Sequence, residues 1–184
     1  MKIKSNAAPQ EVNSPFFGIN EKFCHDFERF IASKNGMVKG SYNAWSFVVL
    51  GKIESARNWN LKYKKAIYSS TGSLISILYK EEVYLTLAVW TCENMNTGTS
   101  SFFVRKRTFL DNFNLRYSRL KLYHNYVVKS GRKQTKLFSQ LIAILQPLFS
   151  NEEIYSIRLK NSKLTIELRS DEHHFDIFNQ LLTL

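Results

Sequence analysis

The chain is short of the residues that punctuate, cross-link and anchor proteins. Of 184 residues, seven are glycine and three are proline, so long flexible linkers are not expected. Two cysteines, Cys24 and Cys92, make neither a disulfide framework nor a zinc site, which needs about four ligands. They read as free thiols of a reducing compartment, and the cytoplasm is the expected location. No apolar run approaches the roughly 18 residues of a membrane span. The opening MKIKSNAAPQEVNSPFF has lysines but no apolar core of the kind a secretory signal carries. Acid is also scarce where it matters most. Between Arg105 and Lys136 the only carboxylate is Asp111.

That scarcity leaves a concentrated positive charge. The window holds ten basic residues: Arg105, Lys106, Arg107, Arg116, Arg119, Lys121, Lys129, Arg132, Lys133 and Lys136. Ten bases against one acid give +9 of the formal +11, so the rest of the chain is nearly neutral. Charge this local makes a field that attracts anions, which is a statement about partners and not about chemistry.

What remains is the composition of a packed globule. Apolar residues are 44% and aromatic residues 14% of the chain, with fourteen Phe and nine Tyr. A chain of this length can bury roughly 70% of its unfolded surface. Residues 1–15 are polar, aperiodic and hold two prolines, so they read as a flexible N-terminal arm. Residues 16–184 read as one α+β domain, with a subdivision at the polar loop 93–100 as the alternative. Phe23, Phe27, Phe30 and Ile31 mark one face of a helix capped by Asn20 and ended by Asn35-Gly36. The period then changes to two. Trp59, Leu61, Tyr63 and Ile67 alternate with polar and basic residues, which predicts a half-buried strand with a basic outer face. Leu74–Tyr79 and Val83–Trp90 read as strands.

In the second half, Phe102–Lys106 reads as a strand and Thr108–Phe113 as a helical turn. Arg119–Val128 reads as a single strand with Leu120, Leu122, His124, Tyr126 and Val128 on its apolar face. A helix is expected over 132–149, ended or kinked by Pro147. Ile154–Lys160 and Lys163–Arg169 form a hairpin over Asn161-Ser162, and a last helix capped by Ser170 or Asp171 carries Phe175, Phe178, Leu181 and Leu182. The expected fold is a mainly antiparallel sheet with helices packed on one side, as one body or as two fused halves.

Chemical motifs are few. No nucleophile elbow, zinc-protease helix or phosphate-binding glycine loop occurs. Lys129-Ser130-Gly131-Arg132-Lys133 precedes a helix start, where basic residues oppose the helix dipole and an anion would relieve the conflict. His173-His174 with Asp171, Glu172 and Asp176 supplies metal-ligand types, but neighbours on a helix point about 100° apart. No catalytic residue, metal or cofactor is assigned. The residues assigned to partner binding are Arg105, Arg107, Arg116, Arg119, Lys121, Tyr123, Arg132, Lys133 and Lys136. Tyr117, Tyr123 and Tyr126 interleave with these cations, and that mixture suits base stacking joined to phosphate contact. The expectation is therefore a non-catalytic module that docks an acidic protein or other anionic surface. Sequence-tolerant nucleic-acid binding is the first alternative, and an enzyme with a site assembled from distant residues is the second. Peripheral contact with an anionic membrane is open to the same charge.

The stretch from about Gly36 to Leu184 resembles a group of bacterial domains of unassigned activity. They have a β-rich first part and end in strand, helix, strand, strand, helix. Tyr126–Ser130, the helix at 132–149, Ile157–Lys160 and Leu164–Leu168 stand in that order here. Such domains often follow transmembrane helices. The resemblance implies this order of elements and carries no activity or site residues.

Overall fold

In the computed structural model the described residues are 2–54, 56–69, 82–95, 101–112, 116–130 and 136–184. They form an α+β fold of ten strands, nearly all antiparallel, and four α-helices. The chain divides into two compact units, Met1–Ala88 and Val89–Leu184. The expected strand Leu74–Tyr79 lies outside the described residues.

The first unit is one helix on a sheet. Its elements are β1 (Ile3–Ser5), α1 (Pro15–Ser33), β2 (Met37–Tyr42), β3 (Ser46–Glu54), β4 (Asn58–Ser69) and the start of β5 (Glu82–Cys92). The stretch read as an arm contains β1, which runs parallel to β2, with Ile3 opposite Gly40. Pro15 opens α1 at a position where its missing N–H costs nothing, so the helix starts before Asn20. Asn20 is buried and donates from Nδ2 to the carbonyls of Asn43 and Ala44 at 2.9 and 3.1 Å. It ties the helix to the β2–β3 turn and does not cap it. At the far end Asn35, with φ 54°, is the left-handed residue. Its N–H donates to Ala32 O at 2.9 Å and the Gly36 N–H donates to Ile31 O at 2.9 Å, the pair of hydrogen bonds of a Schellman cap. Gly36 has a different reason to be glycine: a Cβ there would stand 2.6 Å from the Lys52 carbonyl oxygen.

The alternation on β3 decides which face α1 covers. Phe47, Val49, Gly51 and Ile53 turn inward. Phe23 stacks on Phe47 at 4.6 Å, and Phe27 meets Tyr63 edge-on at 5.3 Å. Gly51 leaves room for the helix to settle, since a Cβ there would meet Ile31 Cδ1 at 2.5 Å and Phe27 Cζ at 2.8 Å. Removing a ring of this kind from a closed core costs about 3–5 kcal/mol.

The second unit holds the end of β5, β6 (Phe102–Lys106), β7 (Ser118–Leu120), β8 (Tyr123–Ser130), α2 (Lys136–Ile144), α3 (Gln146–Ser150), β9 (Ile154–Lys160), β10 (Lys163–Leu168) and α4 (Phe175–Leu181). Its strands are ordered β10-β9-β6-β8-β7. The β9–β10 hairpin turns on Asn161-Ser162, both at positive φ, 50° and 59°, as a two-residue turn requires. The strand expected over Arg119–Val128 is instead two strands folded at Lys121-Leu122. Leu122 is therefore 76% exposed, and His124 is exposed and not a core histidine. The single helix expected over 132–149 is, in its described part from 136, two helices. Pro147 sits in the first turn of α3, so it opens a new helix after a break at Leu145. Phe102 meets Phe138 of α2, Tyr126 meets Phe149 of α3, and Trp90 meets Phe178 of α4, all edge-on at 4.9–5.4 Å. The opposite sheet face carries Arg105, Val127, Lys129, Phe103 and Arg158.

Candidate functional site

The basic window is dispersed by the fold. Arg105 lies on the outer face of β6, where its Nη1 and Nη2 donate to both carboxylate oxygens of Asp111 at 2.8 and 2.6 Å. Asp111 also accepts from the Thr108 N–H at 2.7 Å and hydroxyl at 2.9 Å, and its carboxyl is only 3% exposed. The Arg105 guanidinium, then the Thr108 N–H, hold that carboxyl well below the usual carboxylate range. Asp111 in turn raises the pKa of Arg105. The guanidinium also covers the Tyr117 ring at 4.7 Å. Arg105 is thus a clamp on the segment after β6, and the lone acid of the window neutralises it.

The remaining assigned residues that are described fall in four places. The Arg107 N–H bonds Asn125 O at 2.8 Å, and its side chain borders a polar groove with Thr108, Phe109 and Glu152. Glu152 there accepts from Asn125 Nδ2 at 2.6 Å and pairs with Lys106 at 3.4 Å. Arg116 and Arg119 are exposed before and on β7, and Arg119 stands opposite Val127, whose other neighbour is Arg105. Lys121 and Tyr123 flank an apolar groove of about 410 Å³ beside Phe138 and Ile142. Tyr123 stacks on Phe149 at 4.7 Å, which makes it a packing residue first. Lys136 is exposed at the start of α2. Arg132 and Lys133, with most of the expected anion-binding turn, lie outside the described residues.

A tighter cluster forms where sequence order gives no hint of one. In register across the sheet, Lys129 of β8 faces Phe103 of β6, Phe103 faces Arg158 of β9, and Arg158 faces Thr165 of β10. Tyr117, just before β7, extends the row. Tyr117, Lys129, Phe103, Arg158 and Lys160 line one open groove of about 480 Å³. The Arg158 guanidinium lies over the Phe103 ring at 4.8 Å. No carboxylate lines this groove, and Lys129 and Lys160 have no ion-pair partner among the described residues. The nearest acid along the strands, Glu167, is engaged by the Ser156 hydroxyl at 2.5 Å. Of the cations here only Lys129 belongs to the basic window. Arg158 and Lys160 could be found in the sequence only by counting strand parity and knowing that β6 pairs with β9.

The histidine-rich segment has a structural task. His174 Nε2 lies 2.5 Å from Glu153 Oε2 and 2.7 Å from Ser170 Oγ. A serine relay needs the hydroxyl and the carboxylate on different ring nitrogens. Here both meet Nε2, and the group beside Nδ1 is Glu172 at 3.9 Å, 80% exposed. These bonds hold His174 at φ 54° where α4 begins. The second unit therefore offers binding geometry at the groove and a latch at the histidine. No helix among the described residues is long and apolar enough to cross a membrane. Comparison of the chain with family models, with curated proteins and with solved structures gives no match.

Proposed function

We propose that the protein is a non-catalytic docking module that binds an anionic partner on the outer sheet face of its second unit. The observation that carries this is the groove at Lys129, Arg158 and Lys160, where three cations meet with no carboxylate among the lining residues. Buried basic clusters are usually paired with acids because an unpaired charge is costly. These three are exposed and remain available to a ligand. Arg119 extends the same face from β7. The two cysteines are buried free thiols, in keeping with work in the reducing cytoplasm.

The test is retention on an immobilised polyanion. The wild-type protein elutes at higher salt than the triple variant Lys129→Glu, Arg158→Glu, Lys160→Glu. A triple variant that elutes with the wild type removes this face as the docking site.

A further inference from the structure

Charge alone leaves the class of partner open, and the rings in the groove narrow it. Resting on the docking face proposed above, we infer that its ligand is single-stranded nucleic acid, with bases seated at Tyr117 and Phe103 and phosphates at Lys129, Arg158 and Lys160.

The row alternates ring and cation across neighbouring strands: Tyr117, Lys129, Phe103, Arg158. Strands lie about 4.8 Å apart, so the two rings are separated by roughly 10 Å, with a lysine between them. That separation far exceeds the ~3.4 Å step of stacked bases in a duplex. Bases that use both rings must be unstacked, which selects a single strand. The stacking surface is not bare carbon. Arg158 covers Phe103 at 4.8 Å and Arg105 covers Tyr117 at 4.7 Å. A guanidinium plane on a ring is itself a platform for a base, and a cation there faces the phosphate as well.

The two arginines divide the work. Arg105 is neutralised and fixed by Asp111, so it orients Tyr117 and contributes little net charge. Arg158 is exposed and, among the described residues, has only the ring contact, so it can turn to a phosphate. An acidic peptide would be served by the cations and has no use for two ring faces. A groove of about 480 Å³ is also within the size range of sites that hold small planar ligands. The cations of the groove are assigned to phosphates and the rings to base faces, neither of which differs between bases, so recognition is tolerant of base sequence.

The experiment is fluorescence anisotropy with labelled uridine and thymidine oligonucleotides of about 15 nucleotides, and with blunt duplex DNA, from about 50 to about 200 mM salt. Polyglutamate and polyphosphate serve as competitors. Both single strands bind, the duplex binds at least ten-fold more weakly, and polyglutamate displaces neither. With three phosphate contacts the affinity falls about 20-fold over that salt range. Phe103→Leu with Tyr117→Leu weakens binding at least ten-fold and leaves the salt slope unchanged, because stacking releases no counterions. Tyr117→Leu alone carries the same test, with a smaller loss, should Phe103→Leu lower the melting temperature. The uridine and thymidine arms distinguish RNA from DNA as the better ligand. Displacement by polyglutamate, or ring variants that bind as the wild type does, would overturn the inference and leave a general polyanion face. Failure of every polyanion to bind would overturn the docking face itself.

Discussion

Each unit turns one sheet face to solvent, and the two faces differ in what stands between the cations. On the first unit Lys62 and Lys64 of β4 lie opposite Leu50 and Val48 of β3, and Lys39 of β2 lies opposite Leu50. Lys52 beside them is taken up by Glu54 at 2.5 Å. Aliphatic neighbours let lysine stems lie along the sheet with the ammonium in water. That arrangement covers an apolar face and keeps it soluble. On the second unit rings stand between the cations, one of the groove's three cations is an arginine, and the groove has no acid among its lining residues. The number of positive charges is similar in both. Charge count therefore does not separate the two faces; the side chains between the cations do.

Charge reversal on the two faces should have the largest effect. Lys129→Glu, Arg158→Glu and Lys160→Glu together should weaken single-strand binding at least 100-fold, since three counterion-releasing contacts become repulsive. Lys62→Glu with Lys64→Glu on the first unit should change it less than about three-fold, the weak long-range part of the field. Equal losses from the two sets would erase the distinction between the faces.

A smaller effect is expected from the clamp. Arg105→Ala frees Asp111 and removes the cover of Tyr117, so affinity should fall roughly five-fold, about 1 kcal/mol of stacking. Combined with Asp111→Asn, so that the net charge is unchanged, the variant should keep the wild-type salt slope, because the Arg105–Asp111 pair is already neutral. A slope reduced by one contact would show that Arg105 meets phosphate directly.

The clamp also has a pH signature. The Asp111 pKa is depressed in the folded protein, mainly by Arg105. Its contribution to stability is therefore complete above the unfolded carboxyl value near 4 and is lost as pH falls through the lower folded value. Melting temperature should decline below about pH 4, and the decline should be shallower in Arg105→Ala. The smallest effects are alkaline and involve both units. Burial pushes Tyr42 of the first unit and Tyr126 of the second up to about 12. A raised folded pKa means the contribution is complete below the unfolded value near 10 and is lost as pH rises through about 12. Tyr126→Phe should flatten that loss and cost little else beyond its bond to Ile154 O at 3.2 Å.

Much of the fold was legible because local pattern and tertiary packing agree. The i, i+4 spacing of Phe23 and Phe27 named the face that α1 buries, and Asn161-Ser162 named a turn. The misses share a cause: the competing signal was local but weak. Lys121-Leu122 has no turn composition, so the β7–β8 fold was hidden inside one alternating run, and Leu122 and His124 were placed on the wrong side. Pro15 and Pro147 read as breakers, yet each opens a helix. The site was legible only as charge. Lys129 stood in the basic window, but the pairing of β6 with β9 brings Phe103 to Arg158 across most of the second unit's sequence. No periodicity in one segment encodes a neighbour that distant.

The most direct test is ultraviolet crosslinking of a uridine oligonucleotide to the wild-type protein, with the adducts located by mass spectrometry. Adducts are expected at Tyr117 or Phe103 and their peptides, and are lost when Lys129, Arg158 and Lys160 are reversed. Adducts concentrated on β2–β4 of the first unit, and unaffected by that reversal, would contradict that expectation.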